Sequence, residues 1–178
     1  MEFRKLDPRS KNVLITGAST GLGRAAALHL RSLGFRVFAG VRSESSAAEL
    51  SQVPVADPLI GEIIPLLLDV TEAASIDRAG TVVKGACGDT GLWALVNNAG
   101  IAVCAPLECV PPEVLRLQLE TNFVGALAVI QRFLPLFADV GRADRQRKLR
   151  PWQCGAAVSR CVRSRSIRQG GHERCAAP

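Results

Sequence analysis

V-L-I-T-G-A-S-T-G-L-G, residues 13–23, carries an apolar run straight into a glycine turn that opens a run of helix formers. Val13, Leu14 and Ile15 make the uninterrupted apolar stretch expected of a strand buried on both faces. Gly17 lets the chain turn sharply, Gly21 lets backbone approach a phosphate, and Gly23 lets the new helix pack closely on the sheet. Ala25, Ala26, Ala27, Leu28 and Leu30 continue that helix until Gly34 stops it. The free N–H groups and positive dipole end of such a helix face an anion. A glycine triplet alone also serves as an ordinary structural turn, but strand, turn and helix in this order form the arrangement that seats a dinucleotide pyrophosphate.

Outward from this stretch the pattern alternates. F-R-V-F-A-G-V-R (35–42) predicts a second strand, Ser43–Leu50 a short helix, and Val53–Gly61 a proline-containing connection. Ile63–Val70 predicts a third strand, with Pro65 near its start, where a missing donor is tolerable. Thr71 is placed to cap a helix running to about Gly85. Leu92–Val96 predicts a fourth strand that enters N-N-A-G at 97–100. Pro111 and Pro112 mark the start of a helix extending to about Ala138. Strands alternating with helices predict an α/β fold, a Rossmann-like doubly wound parallel sheet that ends after the fourth strand and its following helix.

The 178 residues suffice for one α/β domain with a sizeable core and are few for a complete dinucleotide enzyme. The charged start, M-E-F-R-K-L-D-P-R, lacks an export signal and no segment is apolar enough to span a bilayer, so the expected location is cytoplasmic, with no membrane partner. Six cysteines without a C-x-x-C pair predict reduced thiols and no metal site. The net charge of +6 is a property of one end. Residues 1–141 carry 12 Lys/Arg against 14 Asp/Glu, whereas 142–178 carry 10 against 2. The division expected is therefore an incomplete NAD(P)-binding Rossmann-type domain over 1–141 and a basic, irregular tail over 142–178.

Four motifs in order resemble those of the short-chain dehydrogenase/reductase family: T-G-A-S-T-G-L-G at Thr16–Gly23, D-V at Asp69–Val70, N-N-A-G at Asn97–Gly100, and the asparagine of L-E-T-N-F-V-G-A at Asn122. The resemblance runs to about Val140. It implies a cofactor-binding set of Thr16, Gly17, Ser19, Gly21, Leu22, Gly23, Arg42, Asp69, Val70, Asn97, Ala99 and Gly100. Within that set Asp69 would accept a hydrogen bond from the adenine amino group, and Asn97 with its neighbours would steady the sheet centre and line the ribose side. Read without the resemblance, Asp69 is a strand-end turn residue and 97–100 an amide-rich turn. Asn122 would help hold a water in the family's proton relay; on residue type alone it marks a helix kink or an interhelical hydrogen bond. At the end of the second strand an arginine binds a 2′-phosphate, where an acidic residue would accept from a 2′-hydroxyl. Arg42 thus favours NADP(H) over NAD(H), against the nearby Glu44 and the neutral Thr20, unless it is simply a solvated side chain.

The family transfers hydride between nicotinamide and a carbonyl or alcohol, with a tyrosine as general acid or base and a lysine four residues later. This sequence contains no tyrosine, and no lysine follows Lys148. Asn122 is the one member of the relay left, and the chain as written is expected to be inactive. The genetic code offers an explanation. Taking the last two bases of each codon with the first of the next, from the junction of Arg142 and Ala143, the residues present permit G-R-I-V-N-V-S-S, and Trp152 with Gln153 force a glycine three positions later. That is what the family shows on its fifth strand, so residues from about Gly141 onward read as out of frame. Three functions follow: an NADP(H)-dependent oxidoreductase by descent, with a small carbonyl or alcohol substrate and a homo-oligomer possible for the complete protein; a cofactor-binding module without catalysis; and, ranked last, a nucleic-acid arm formed by the arginine-rich tail.

Overall fold

The computed structural model describes residues 7–53 and 61–137. Four strands, β1 (Asn12–Ile15), β2 (Arg36–Val41), β3 (Ile63–Leu67) and β4 (Ala94–Val96), alternate with helices α1 (Gly21–Ser32), α2 (Glu44–Ser51) and α3 (Ala73–Cys87). After β4 come α4 (Pro112–Leu119), a π-helical segment (Glu120–Gly125) and α5 (Ala126–Phe133). All strand pairs are parallel, in the order β3-β2-β1-β4. Among the described residues this is the predicted Rossmann-like sheet, ending with the fourth strand and its following helix.

Side-chain alternation along the two central strands explains why both faces are covered. Val13 and Ile15 on β1, with Val37, Ala39 and Val41 on β2, face one core with Ala27 and Leu50. Leu14 and Phe38 face the other, against Ile76, Ala79 and Val83 of α3 and Val129 and Phe133 of α5. Burying each such side chain contributes about 1.5–3 kcal/mol, so a strand apolar at every position needs helices on both sides.

Several boundaries differ from the sequence reading for physical reasons. β3 stops at Leu67 rather than Val70: Leu68 still donates its N–H to the Val41 carbonyl, but the Asp69 carboxylate then accepts the Thr71 N–H at 2.8 Å and turns the chain away. Thr71 accordingly does not cap α3; its hydroxyl donates to Asp69 at 2.7 Å, and the N-cap position falls to Glu72. Pro65 lies mid-strand opposite Ala39, tolerated because β3 is an edge strand. Leu92 and Trp93 precede β4: Trp93 donates its N–H to the Asn12 carbonyl, and Leu92 forms a parallel bridge with Phe137. Ser43 caps α2 by accepting from the Ser46 N–H. Along the last helix Leu115, Leu119, Phe123, Leu127, Ile130 and Leu134 are exposed. No helix among the described residues is long and apolar enough to cross a membrane. The segment 54–60 and the basic tail 142–178 lie outside the described residues.

Candidate functional site

The turn after β1 and the turn after β4 are stitched together by two side chains. The Thr16 hydroxyl accepts the N–H groups of Asn98 and Ala99, both at 3.0 Å. Asn98 returns its side-chain amide to the carbonyls of Thr16 (3.1 Å) and Gly17 (2.9 Å). The closeness demands glycine. At Gly17 (φ +65°) a Cβ would sit 2.8 Å from the Ala99 Cα, and at Gly23 it would overlap the Gly17 carbonyl and the Asn98 amide. Gly21 also has positive φ, +56°, but a Cβ there would meet nothing within 4 Å. Thr20, the N-cap of α1, makes no side-chain capping bond and the first turn holds no acidic residue, so its N–H groups remain available to an anion.

Over these turns lies a cleft of about 350 Å³ at the carboxyl ends of the strands. It sits where chain order reverses, with β2 and β3 to one side of β1 and β4 to the other, the position at which open α/β sheets bind ligands. Arg42 and Asp69 line one part, Ser19 and Gly17 the floor, and Ala99, Gly100 and Ile101 another wall. Burial alone would raise the Asp69 carboxyl, but the Thr71 hydroxyl and amide and the Arg42 charge together hold it below its ordinary value. It therefore stays an acceptor at neutral pH.

Of the residues singled out from sequence, Gly17, Ser19, Arg42, Asp69, Val70, Ala99 and Gly100 line the cleft. Thr16 lies beneath it, 1 % exposed, as the fastener of the floor. Gly21, Leu22 and Gly23 form the first turn of α1, with Leu22 84 % exposed. Asn97 is exposed and outside the lining, whereas its twin Asn98 both lines the cleft and makes the stitching bonds. Nothing in the doublet's sequence distinguishes the two. Asn122 lies in the π segment and grips the backbone of Ile101, accepting its N–H at 2.8 Å and donating to its carbonyl at 2.7 Å. π-Helical segments inside α-helices are frequent at functional sites. Thr20, Leu68, Thr71, Leu117 and Thr121 also line the cleft and were missed, although the one-turn spacing of Leu117 and Thr121 places both on one helix face.

Parallel order, reversal point, glycine cradle and open helix N-terminus define a dinucleotide-binding α/β domain. A family model described as short chain dehydrogenase matches residues 11–144, and the chain belongs to that family. The positive-φ Gly21 beside open space leaves room for a dinucleotide. The chain is 42% identical over 125 residues to the 3-amino-tetrahydro-pyrrolizinone reductase of Xenorhabdus hominickii, covering 70% of this chain and 41% of that protein. It is 42% identical over 129 residues to estradiol 17-beta-dehydrogenase 2 of Rattus norvegicus, covering 71% and 32%. A short-chain type dehydrogenase/reductase from Mycobacterium marinum superimposes with a TM-score of 0.62 at 28% identity, covering 73% of this chain and 51% of that one. The chain thus spans less than half the length of these two relatives.

Proposed function

We propose that residues 7–137 are the coenzyme-binding half of an oxidoreductase that moves hydride between NADP(H) and a carbonyl/alcohol pair, and that the 178-residue chain itself binds coenzyme without turnover. The cleft carries this reading, because it joins a pyrophosphate cradle to an arginine and a carboxylate at the strand ends. The glycine turn and α1 would hold the pyrophosphate, Arg42 the 2′-phosphate and Asp69 the adenine amino group, leaving the wall from Asn98 to Ile101 for the nicotinamide ribose. When bound, the coenzyme supplies the hydride. The names of the relatives, a reductase and a dehydrogenase, support the carbonyl/alcohol pair as the reacting couple of the complete enzyme. With no tyrosine in the sequence, the proton has no donor of the usual kind, and loss of such assistance costs about 10²–10⁴ in rate.

Titration of the full chain with NADPH and NADH, followed by nicotinamide fluorescence, tests the reading. NADPH binds more tightly, and Arg42→Ala weakens it about 10- to 100-fold, the worth of a charge-assisted hydrogen bond, while changing NADH by less than about twofold. Equal affinities in the unmodified chain would remove the NADP(H) preference, and absence of binding by either coenzyme would remove the cradle. Carbonyl reduction at ordinary enzymic rates would overturn the inactive assignment. The residues from about Gly141 onward we attribute to a shifted frame: sequencing the coding DNA should find G-R-I-V-N-V-S-S restored by a single-base change, and an intact frame through Cys154 refutes it.

A further inference from the structure

Gln118 and Asn122 stand one turn apart on the helix that starts at Pro112, and both reach the same strip of backbone. Asn122 takes both polar groups of Ile101. Gln118 accepts the Val103 N–H through Oε1 at 2.9 Å. The strip they hold has little else to fix it: Ala102 through Pro106 are exposed, with Val103 at 47 %. Side-chain amides, accepting twice and donating once, thus do here what a neighbouring strand does inside a sheet. The strip begins at the cleft, since Gly100 and Ile101 line it, while Gln118 and Asn122 stand behind the wall and do not. A Cβ at Gly100 would come within 3.1 Å of the Asn122 Oδ1, so wall and helix already touch.

We propose that Gln118 is a positioning residue for the nicotinamide side of the cleft: by holding Val103 it fixes the wall at Gly100 and Ile101 in the pose the coenzyme meets. The inference rests on the coenzyme reading above. It separates the two ends of the cleft, because Arg42 and Asp69 sit on strand ends that Gln118 does not touch. A side chain that only stabilised the fold would weaken both ends alike.

The test uses the full chain and two ligands, NADPH and 2′,5′-ADP, which lacks the nicotinamide half. Gln118→Met raises the NADPH Kd about fivefold, the equivalent of one ordinary hydrogen bond, leaves the 2′,5′-ADP Kd within about twofold, and speeds amide exchange at Val103. Gln118→Glu keeps an acceptor and restores both the slow exchange and the NADPH affinity. Equal losses for the two ligands, or unchanged NADPH binding with faster exchange at Val103, overturn the proposal. If the unmodified chain fails to bind 2′,5′-ADP, the coenzyme reading itself falls, and the exchange rate still reports whether Gln118 holds the strip.

Discussion

Replacing Thr16 by valine isolates the hydroxyl that joins the two turns under the cleft. The side chains have the same shape, so packing around this 1 % exposed position is preserved and only the acceptor disappears. The N–H groups of Asn98 and Ala99, each 3.0 Å from the hydroxyl, lose their partner. An orphaned buried donor costs about 1–3 kcal/mol, and because both are only partly buried the low end applies, giving a loss of about 2–4 kcal/mol. The extra methyl returns roughly 0.8 kcal/mol, too little to reverse the sign. Against a usual stability of about 5–15 kcal/mol this is a large fraction. Thr16→Ser keeps the acceptor and removes one methyl, at about 1 kcal/mol. Urea unfolding followed by Trp93 fluorescence reads the difference, since that ring packs against Phe35 at 5.6 Å, with Trp152 replaced by Phe to silence the second indole. A valine variant as stable as the serine variant, or more so, would refute the reasoning.

Two glycines give opposite outcomes in the same assay. Gly125→Ala places a Cβ 2.6 Å from the Val70 carbonyl, a backbone atom that cannot step aside, and loses more than about 2 kcal/mol. At Gly80→Ala the nearest atoms a Cβ meets are those of the Arg132 guanidinium, at 2.5 Å, a flexible side-chain end; losing the exposed Arg132–Asp77 ion pair costs about 0.5 kcal/mol and the gain in helix propensity offsets it, so stability stays within about 0.5 kcal/mol. The Asp69 carboxyl titrates lower folded than unfolded, so its stabilisation is complete above its ordinary value of 3.8 and fades as pH falls through the folded value. Asp69→Asn therefore flattens the acid limb of a pH–stability curve, and a limb parallel to that of the unmodified chain would remove the Thr71 and Arg42 contacts as a source of stability. Burial pushes the Cys87 thiol up, with the Arg36 charge opposing it only partly, so peptide mapping after alkylation finds Cys104 and Cys109 modified before Cys87.

Strong local patterns were legible and tertiary ones were not. The run Val13–Ile15, the glycine turn and the strand-helix alternation depend on burial and backbone freedom, which residue type reports directly. The π segment is invisible in E-T-N-F-V-G, because its apolar spacing suits an ordinary helix equally well; what marks it is Gly125 against Val70 and Asn122 bonded to Ile101. Thr71 looked like a cap because threonine before a helix usually is one, and the Asp69 carboxylate claimed it first. The choice between Asn97 and Asn98 depends on which amide points at Thr16, a matter of strand pleat and register rather than composition. The clamp of Gln118 on Val103 joins residues with no sequence signature at all.

The order of the sheet also sets a sequence of assembly. Asn12 of β1 pairs with Arg36, a near neighbour along the chain, while Thr16 meets Asn98, 82 positions on. Closing the larger loop costs about 1 kcal/mol more in chain entropy, so β1, β2 and α1 can associate early while β4 joins late. Nascent protein would consequently own its glycine loop and Arg42 well before the opposite bank exists, and a coenzyme supplied during refolding could engage that half first and favour the docking of β4.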